Sequence, residues 1–167
     1  MKKIISLTLF LALCSALAGA VLAGVNSITA PIIEEQKIAA VKASLQKIFP
    51  TADEFKEITF EDESGFVKNV YEATGEGYAI KVSIQGYKDI ITILVGFDLH
   101  DKIVGFEVTA LNDTPGIGTK VGEPEFANSI IGKPITTKLD TISGATISSS
   151  AAIRGIDAAI AVYQSLN

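Results

Sequence analysis

The chain has 167 residues, 48% of them hydrophobic and 20% charged, with a formal net charge of −5. This length suits one soluble domain with an N-terminal extra, and a mildly acidic balance with no Lys/Arg run argues against nucleic acid as a partner. A single cysteine, Cys14, excludes an intrachain disulfide, and a single histidine, His100, leaves no basis for a thiolate or histidine-rich metal centre, so that only an oxygen-ligand ion could be held.

Met1-Lys2-Lys3 precedes an uncharged apolar run from Ile4 to about Val25. That is roughly the twenty residues needed to cross a bilayer. A signal peptide is one reading, with small-residue sites at Ala16-Leu17-Ala18 and Val21-Leu22-Ala23. An uncleaved anchor is the reading favoured here, because the run exceeds a usual signal core. A lipid-modified Cys14 is disfavoured by the bulky Leu13 before it. Lys2 and Lys3 place the N-terminus inside and the remainder outside. Residues 26–50 continue as helix: Thr29 and Pro31 resemble a helix start, Ile38, Val41, Leu45 and Ile48 form a stripe, and Pro50 ends it. An amphipathic helix packed on the domain is preferred to a coupling rod between membrane and domain.

From Phe55 to Thr109 the pattern is β. Strands are expected at 55–61 and 66–72, separated by the turn-like Asp62-Glu63-Ser64-Gly65. Residues 77–85 alternate Tyr78, Ile80, Val82 and Ile84. Residues 90–97 are almost wholly apolar, as in a central strand buried on both faces. Asp98-Leu99-His100-Asp101 turns the chain into a hairpin partner at 102–109, with His100 a solvated turn residue.

The segment 111–122 is rich in glycine. Pro115-Gly116 signals a type II turn with glycine at the left-handed position. Such a loop can lay backbone N–H groups of Thr114, Gly116, Ile117 and Gly118 against a planar or anionic ligand. Lys120 is placed to balance a phosphate or a reduced ring. A short helix is expected over 124–131, ended by Gly132, and a last strand over 134–137. Asp140-Thr141-Ile142-Ser143-Gly144-Ala145-Thr146-Ile147-Ser148-Ser149-Ser150 then sets hydroxyls and small residues before a helical stripe, Ala152, Ile156, Ala159, Ile160 and Tyr163. Ser148 or Ser149 serves as N-cap. A helix start of this kind suits a phosphate, and Gly144 with Ala145 gives a bulky group access to the backbone. Arg154 lies one to two turns in. The expected fold is α+β: an anchor (1–25), a juxtamembrane helix (26–50), and a domain (51–167) with a twisted, mainly antiparallel sheet and packed helices.

Asp140-x-x-Ser143-Gly144-Ala145-Thr146 resembles the acceptor motif on which a flavin transferase esterifies FMN to threonine. Thr29-x-x-Ile32, Glu34-Glu35-Gln36, Ile93-Leu94-Val95-Gly96-Phe97-Asp98, Ile103-Val104-Gly105, Asp113-Thr114-Pro115-Gly116-Ile117-Gly118-x-Lys120 and Ser143-Gly144-Ala145-Thr146-Ile147-Ser148 extend the likeness over nearly the whole chain. Together they resemble the G subunits of Rnf electron-transport complexes, in the FMN-binding domain family shared with the C subunit of the sodium-pumping NADH:quinone reductase. The resemblance implies one FMN per chain, covalently held by Thr146, with Ser143, Gly144, Ala145, Ile147, Ser148, Thr114, Gly116, Ile117, Gly118 and Lys120 around it. It implies a flavin transferase for maturation, other membrane and iron–sulfur or flavin subunits as partners, and a single-pass protein of the bacterial cytoplasmic membrane with its domain on the extracytoplasmic side. It implies an electron carrier with no catalytic acid–base pair of its own. Asn112 and Asp113 stand where the family usually has His and Glu: Asp keeps the charge on a shorter arm, and Asn replaces a titratable ring with an amide. Two other readings remain open, a related domain serving a quinone or terminal reductase, and a membrane-tethered assembly module without flavin.

Overall fold

In the computed structural model, which describes residues 2–52, 54–111 and 118–166, five strands follow one another across a single antiparallel sheet. They are β1 (Phe55–Ile58), β2 (Val67–Ala73), β3 (Gly77–Gln85), β4 (Ile90–Asp98) and β5 (Ile103–Leu111), each hydrogen-bonded to its sequence neighbour. The helices are α1 (Lys2–Ile48), α2 (Pro124–Ile130) and α3 (Thr146–Leu166), with a 3₁₀ turn at Gly118–Gly122. The α+β expectation therefore holds, with strand positions close to those read from the sequence. The chain divides into two units, Met1–Val41 and Lys42–Asn167.

In the first unit, Lys3–Ala30 is a helix of 28 residues with mean hydropathy 2.3, long and apolar enough to cross a membrane. Its large apolar side chains are exposed, among them Leu9, Phe10, Leu22 and Ile28. Thr8 and Thr29 turn their hydroxyls back onto the carbonyls of Ile4 and Val25, so these polar groups are satisfied within the helix. The expected new helix start at Thr29 and Pro31 is not there: α1 runs through both without a break. A proline needs its φ near the helical value and forfeits one backbone bond, which a long helix with strong neighbours on both sides tolerates.

In the second unit the sheet is covered on both faces. Alternation puts Ile80, Val82 and Ile84 of β3 and Ile91, Ile93, Val95 and Phe97 of β4 on one side, all buried. Against them lies α3, through Ala152, Ile156, Ala159 and Tyr163. Burying each large side chain contributes about 1.5–3 kcal/mol. Gly155 brings α3 close: a Cβ there would lie 3.2 Å from Val82 and 3.3 Å from Ile93. The opposite face carries Ala79, Leu94, Gly96 and Gly105, and the last turn of α1 covers it. Leu45 and Phe49 are buried there, and Ile48 fits the notch left by Gly96 and Gly105, which pair across β4 and β5. Lys47 and Glu107 form an ion pair beside the notch.

Two expectations fail at the local level. β1 stops at Ile58 rather than residue 61, and residues 134–137 form no strand, only one bridge between Lys102 and Pro134 followed by a turn closed by Thr137 N–H to the Pro134 carbonyl. The bridge is made by Ile103 N–H to the Lys133 carbonyl and Ile135 N–H to the Asp101 carbonyl, and the turn at Thr137 then carries the chain away, leaving this segment a clip on the start of β5.

Candidate functional site

The direction of α3 fixes where its first residue emerges. Gly155 lies over Val82, Ile84 and Ile93, whereas the Tyr163 ring stacks on Phe97 with centroids 4.9 Å apart and its hydroxyl donates to the Asp98 carbonyl at 2.8 Å. The C-terminal half of α3 therefore points to the end of the sheet where β4 turns into β5. Thr146, nine residues before Gly155, lies about 13 Å the other way along the helix axis. It overhangs the end of the sheet where the β3–β4 hairpin and the last residue of β5 emerge. His100 is at the far end, exposed in the β4–β5 turn, with its N–H donating to Asp98 Oδ1. This is the solvated turn residue expected.

Residues 140–145 reach α3 as a loop held by its own backbone and one hydroxyl. Ala145 N–H donates to the Ile142 carbonyl at 3.0 Å, and Ile142 N–H donates to Ser149 Oγ at 3.0 Å. Ser149 Oγ itself donates to the Ala145 carbonyl at 2.9 Å. Helix α3 begins at Thr146, so neither Ser148 nor Ser149 is the N-cap; both are buried inside the first turn. Sequence reasoning identified the hydroxyl cluster and misplaced its duty: Ser149 staples the loop to the helix, three residues after the helix has begun. Around that staple the exposure alternates. Ala145 is buried, Ser143, Gly144 and Thr146 are exposed, and Ile147 is 58% exposed although apolar. Gly144 takes φ +78°, a left-handed conformation that favours glycine.

The 3₁₀ turn approaches the same loop. Gly118 and Val121 are buried, and Val121, fully enclosed in the core, anchors the turn. Half-buried Lys120 extends to the loop at 140–145: its Nζ would lie 3.7 Å from a Cβ placed on Gly144. Among the described residues its ammonium makes no hydrogen bond or ion pair. A cleft of about 300 Å³ opens beside it, lined by Glu123 and Glu125, Phe126 and Ser129 of α2, and Asp140, Thr141 and Ile142 of the loop. Of the sequence-predicted set, Lys120 thus approaches Gly144, which stands two residues before Thr146 at the start of α3. Thr114, Gly116 and Ile117, with the turn at Pro115-Gly116 and the Asn112-Asp113 pair, lie outside the described residues. Arg154 is exposed on α3.

Such an arrangement offers an exposed threonine, a neighbour without a side chain, a nearby ammonium and the N-terminus of a 21-residue helix. These suit a phosphate ester at Thr146 Oγ. Comparison with known proteins places the chain in a family. Residues 86–161 match the FMN-binding domain family, and residues 1–48 match the RnfG N-terminal region. The chain is 30% identical, over 195 aligned residues, to the G subunit of the Na(+)-translocating ferredoxin:NAD(+) oxidoreductase complex of Acetobacterium woodii, covering 99% of this chain and 94% of that one. It is 27% identical to the G subunit of the ion-translocating oxidoreductase complex of Methanosarcina acetivorans, over 95% of this chain and 94% of the other. It is 22% identical to the G subunit of the proton-translocating ferredoxin:NAD(+) oxidoreductase complex of Clostridium ljungdahlii, over 95% and 91% of the two. With both regions matched and a relative aligned along almost its entire length, the chain belongs to the G-subunit family of Rnf ion-translocating oxidoreductase complexes and contains its FMN-binding domain.

Proposed function

We propose that this chain is the membrane-anchored electron carrier of an ion-translocating ferredoxin:NAD oxidoreductase complex, with one FMN esterified through its phosphate to Thr146. The observation that supports it best is the setting of Thr146: exposed at the overhanging start of α3, next to side-chain-free Gly144 and within the neighbourhood of the Lys120 ammonium. A buried threonine would be closed to a modifying enzyme. Attachment balances as a transfer from flavin adenine dinucleotide on a flavin transferase. The Thr146 oxygen–phosphorus bond forms, the pyrophosphate bond to AMP breaks, and the hydroxyl proton leaves with AMP.

When bound, FMN supplies the redox chemistry, and the protein supplies attachment, orientation and electrostatics. Ser143, Gly144, Ala145, Ile147 and Ser148 shape the backbone around the ester. Gly118 and Lys120 of the 3₁₀ turn bound the other side, and Thr114, Gly116 and Ile117 are proposed as cofactor-binding on the resemblance alone. Ile147 offers an exposed apolar surface beside the attachment point. The Lys3–Ala30 helix holds the protein in the membrane next to iron–sulfur and flavin subunits. Lys2 and Lys3 favour an N-terminus inside and an extracytoplasmic domain. A covalent bond keeps a cofactor that would otherwise be lost from that side.

Intact mass after co-expression with a flavin transferase tests the proposal. The wild-type chain should gain the mass of one FMN less water and keep its yellow colour through denaturation. Thr146→Val should abolish both, and Thr146→Ser should retain them. An unmodified wild-type chain, or a flavin that stays attached in Thr146→Val, would overturn it.

A further inference from the structure

We infer that Lys120 holds the phosphate of the attached flavin rather than its ring; this rests on FMN being carried by Thr146. Two placements separate the possibilities. The Lys120 Nζ lies against Gly144, 3.7 Å from where a Cβ would stand, and Gly144 is two residues from the acceptor oxygen. The isoalloxazine is separated from the phosphate by the whole ribityl arm. An ammonium fixed over Gly144 therefore meets the phosphodiester first.

The lysine is prepared for that task. Val121, the next residue, is fully buried, and Glu123 N–H donates to the Lys120 carbonyl at 3.1 Å, so the backbone under Lys120 is set before any ligand arrives. The ionisable side chains lining the adjoining cleft are Glu123, Glu125 and Asp140. None is within ion-pair distance of the Lys120 ammonium among the described residues. Their summed negative charge repels a phosphate, and Lys120 is the cation that offsets it where the ester forms. A Cβ on Gly144 would stand in ordinary contact with the ammonium, so the glycine itself is called for by its left-handed backbone. A charge-assisted bond of this kind alters affinity by about tenfold or more.

The test compares full-length wild type, Lys120→Arg and Lys120→Gln, each co-expressed with a flavin transferase. Loading is followed by intact mass at low and high salt, and the purified proteins by phosphorus NMR and redox titration. In the wild type, loading should slow as salt rises. In Lys120→Gln it should be about tenfold slower at low salt and nearly insensitive to salt, with the phosphorus resonance moved toward that of a free phosphodiester. Lys120→Arg should restore both readouts. Equal loading and an unmoved resonance in Lys120→Gln overturn the inference. A changed reduction potential with an unmoved resonance overturns it too, by placing the ammonium on the ring. A wild-type chain that gains no FMN brings down the parent reading and this one with it, whereas the other two outcomes leave Thr146 attachment standing.

Discussion

Single polar side chains organise the turns that the strands and helices leave behind. Ser149 accepts from Ile142 N–H and donates to the Ala145 carbonyl, so one buried oxygen closes the acceptor loop on both sides. Ser149→Ala would leave a buried N–H unsatisfied and should cost about 1–3 kcal/mol. Because the loss is local, hydrogen exchange at residues 140–146 should accelerate while β3 and β4 remain protected. Asp62 has the same duty before β2. Burial pushes its carboxyl up, but hydrogen bonds from the Ser64 hydroxyl at 2.6 Å and from the N–H groups of Val67 and Ser64 outweigh it, leaving it below the ordinary 3.8. A depressed folded-state value adds stability that is present above the unfolded carboxylate range and lost as pH falls through the folded one. Asp62→Asn should lower the melting temperature slightly at neutral pH, by an amount reflecting less than about 1 kcal/mol at so open a site. Its curve should meet that of the wild type at acid pH. Sequence reading found the Asp62 turn and the serine cluster, since both announce themselves by residue type. It could not tell that Ser149 bonds backward, because capping and stapling use the same residues and differ only in where the helix begins.

Among elements, the joint between α1 and the sheet is the one least visible in advance. A helical stripe through Leu45 and Ile48 was legible, and so was the packing of this amphipathic end on the domain. The receiving surface was not: Gly96 and Gly105 are nine residues apart and become neighbours only through β4–β5 register. A Cβ on Gly105 would fall 2.5 Å from Ile48 Cγ2 and 2.7 Å from Cγ1. Gly105→Val should therefore destabilise the domain by about 1–3 kcal/mol despite valine's better strand propensity. Ile48→Ala in the same chain should recover part of the loss, which thermal unfolding of the two variants checks. The segment 134–137 misled for the converse reason. Its β-branched residues suit a strand, yet the turn closed at Thr137 limits pairing to one bridge.

For the molecule as a whole, the pattern of apolar residues carried most of the architecture. β3 was read to its observed ends, and β4 to within a residue, because period-two alternation and an almost wholly apolar eight-residue run have few other solutions. The motif at 140–146 pointed to the proposed site, while the approach of Lys120 to Gly144 needed coordinates: twenty-four positions separate them, and helix α2 intervenes. The sheet order adds one more consequence. Every strand pairs with the one made immediately before it, so no early strand has to wait for a distant partner, and pairing can advance as quickly as chain becomes available. The threonine belongs to the final element, the one that seals the apolar face. On the proposed reading, an enzyme that esterifies Thr146 would meet it only once the helix carrying it has been made, after all five strands.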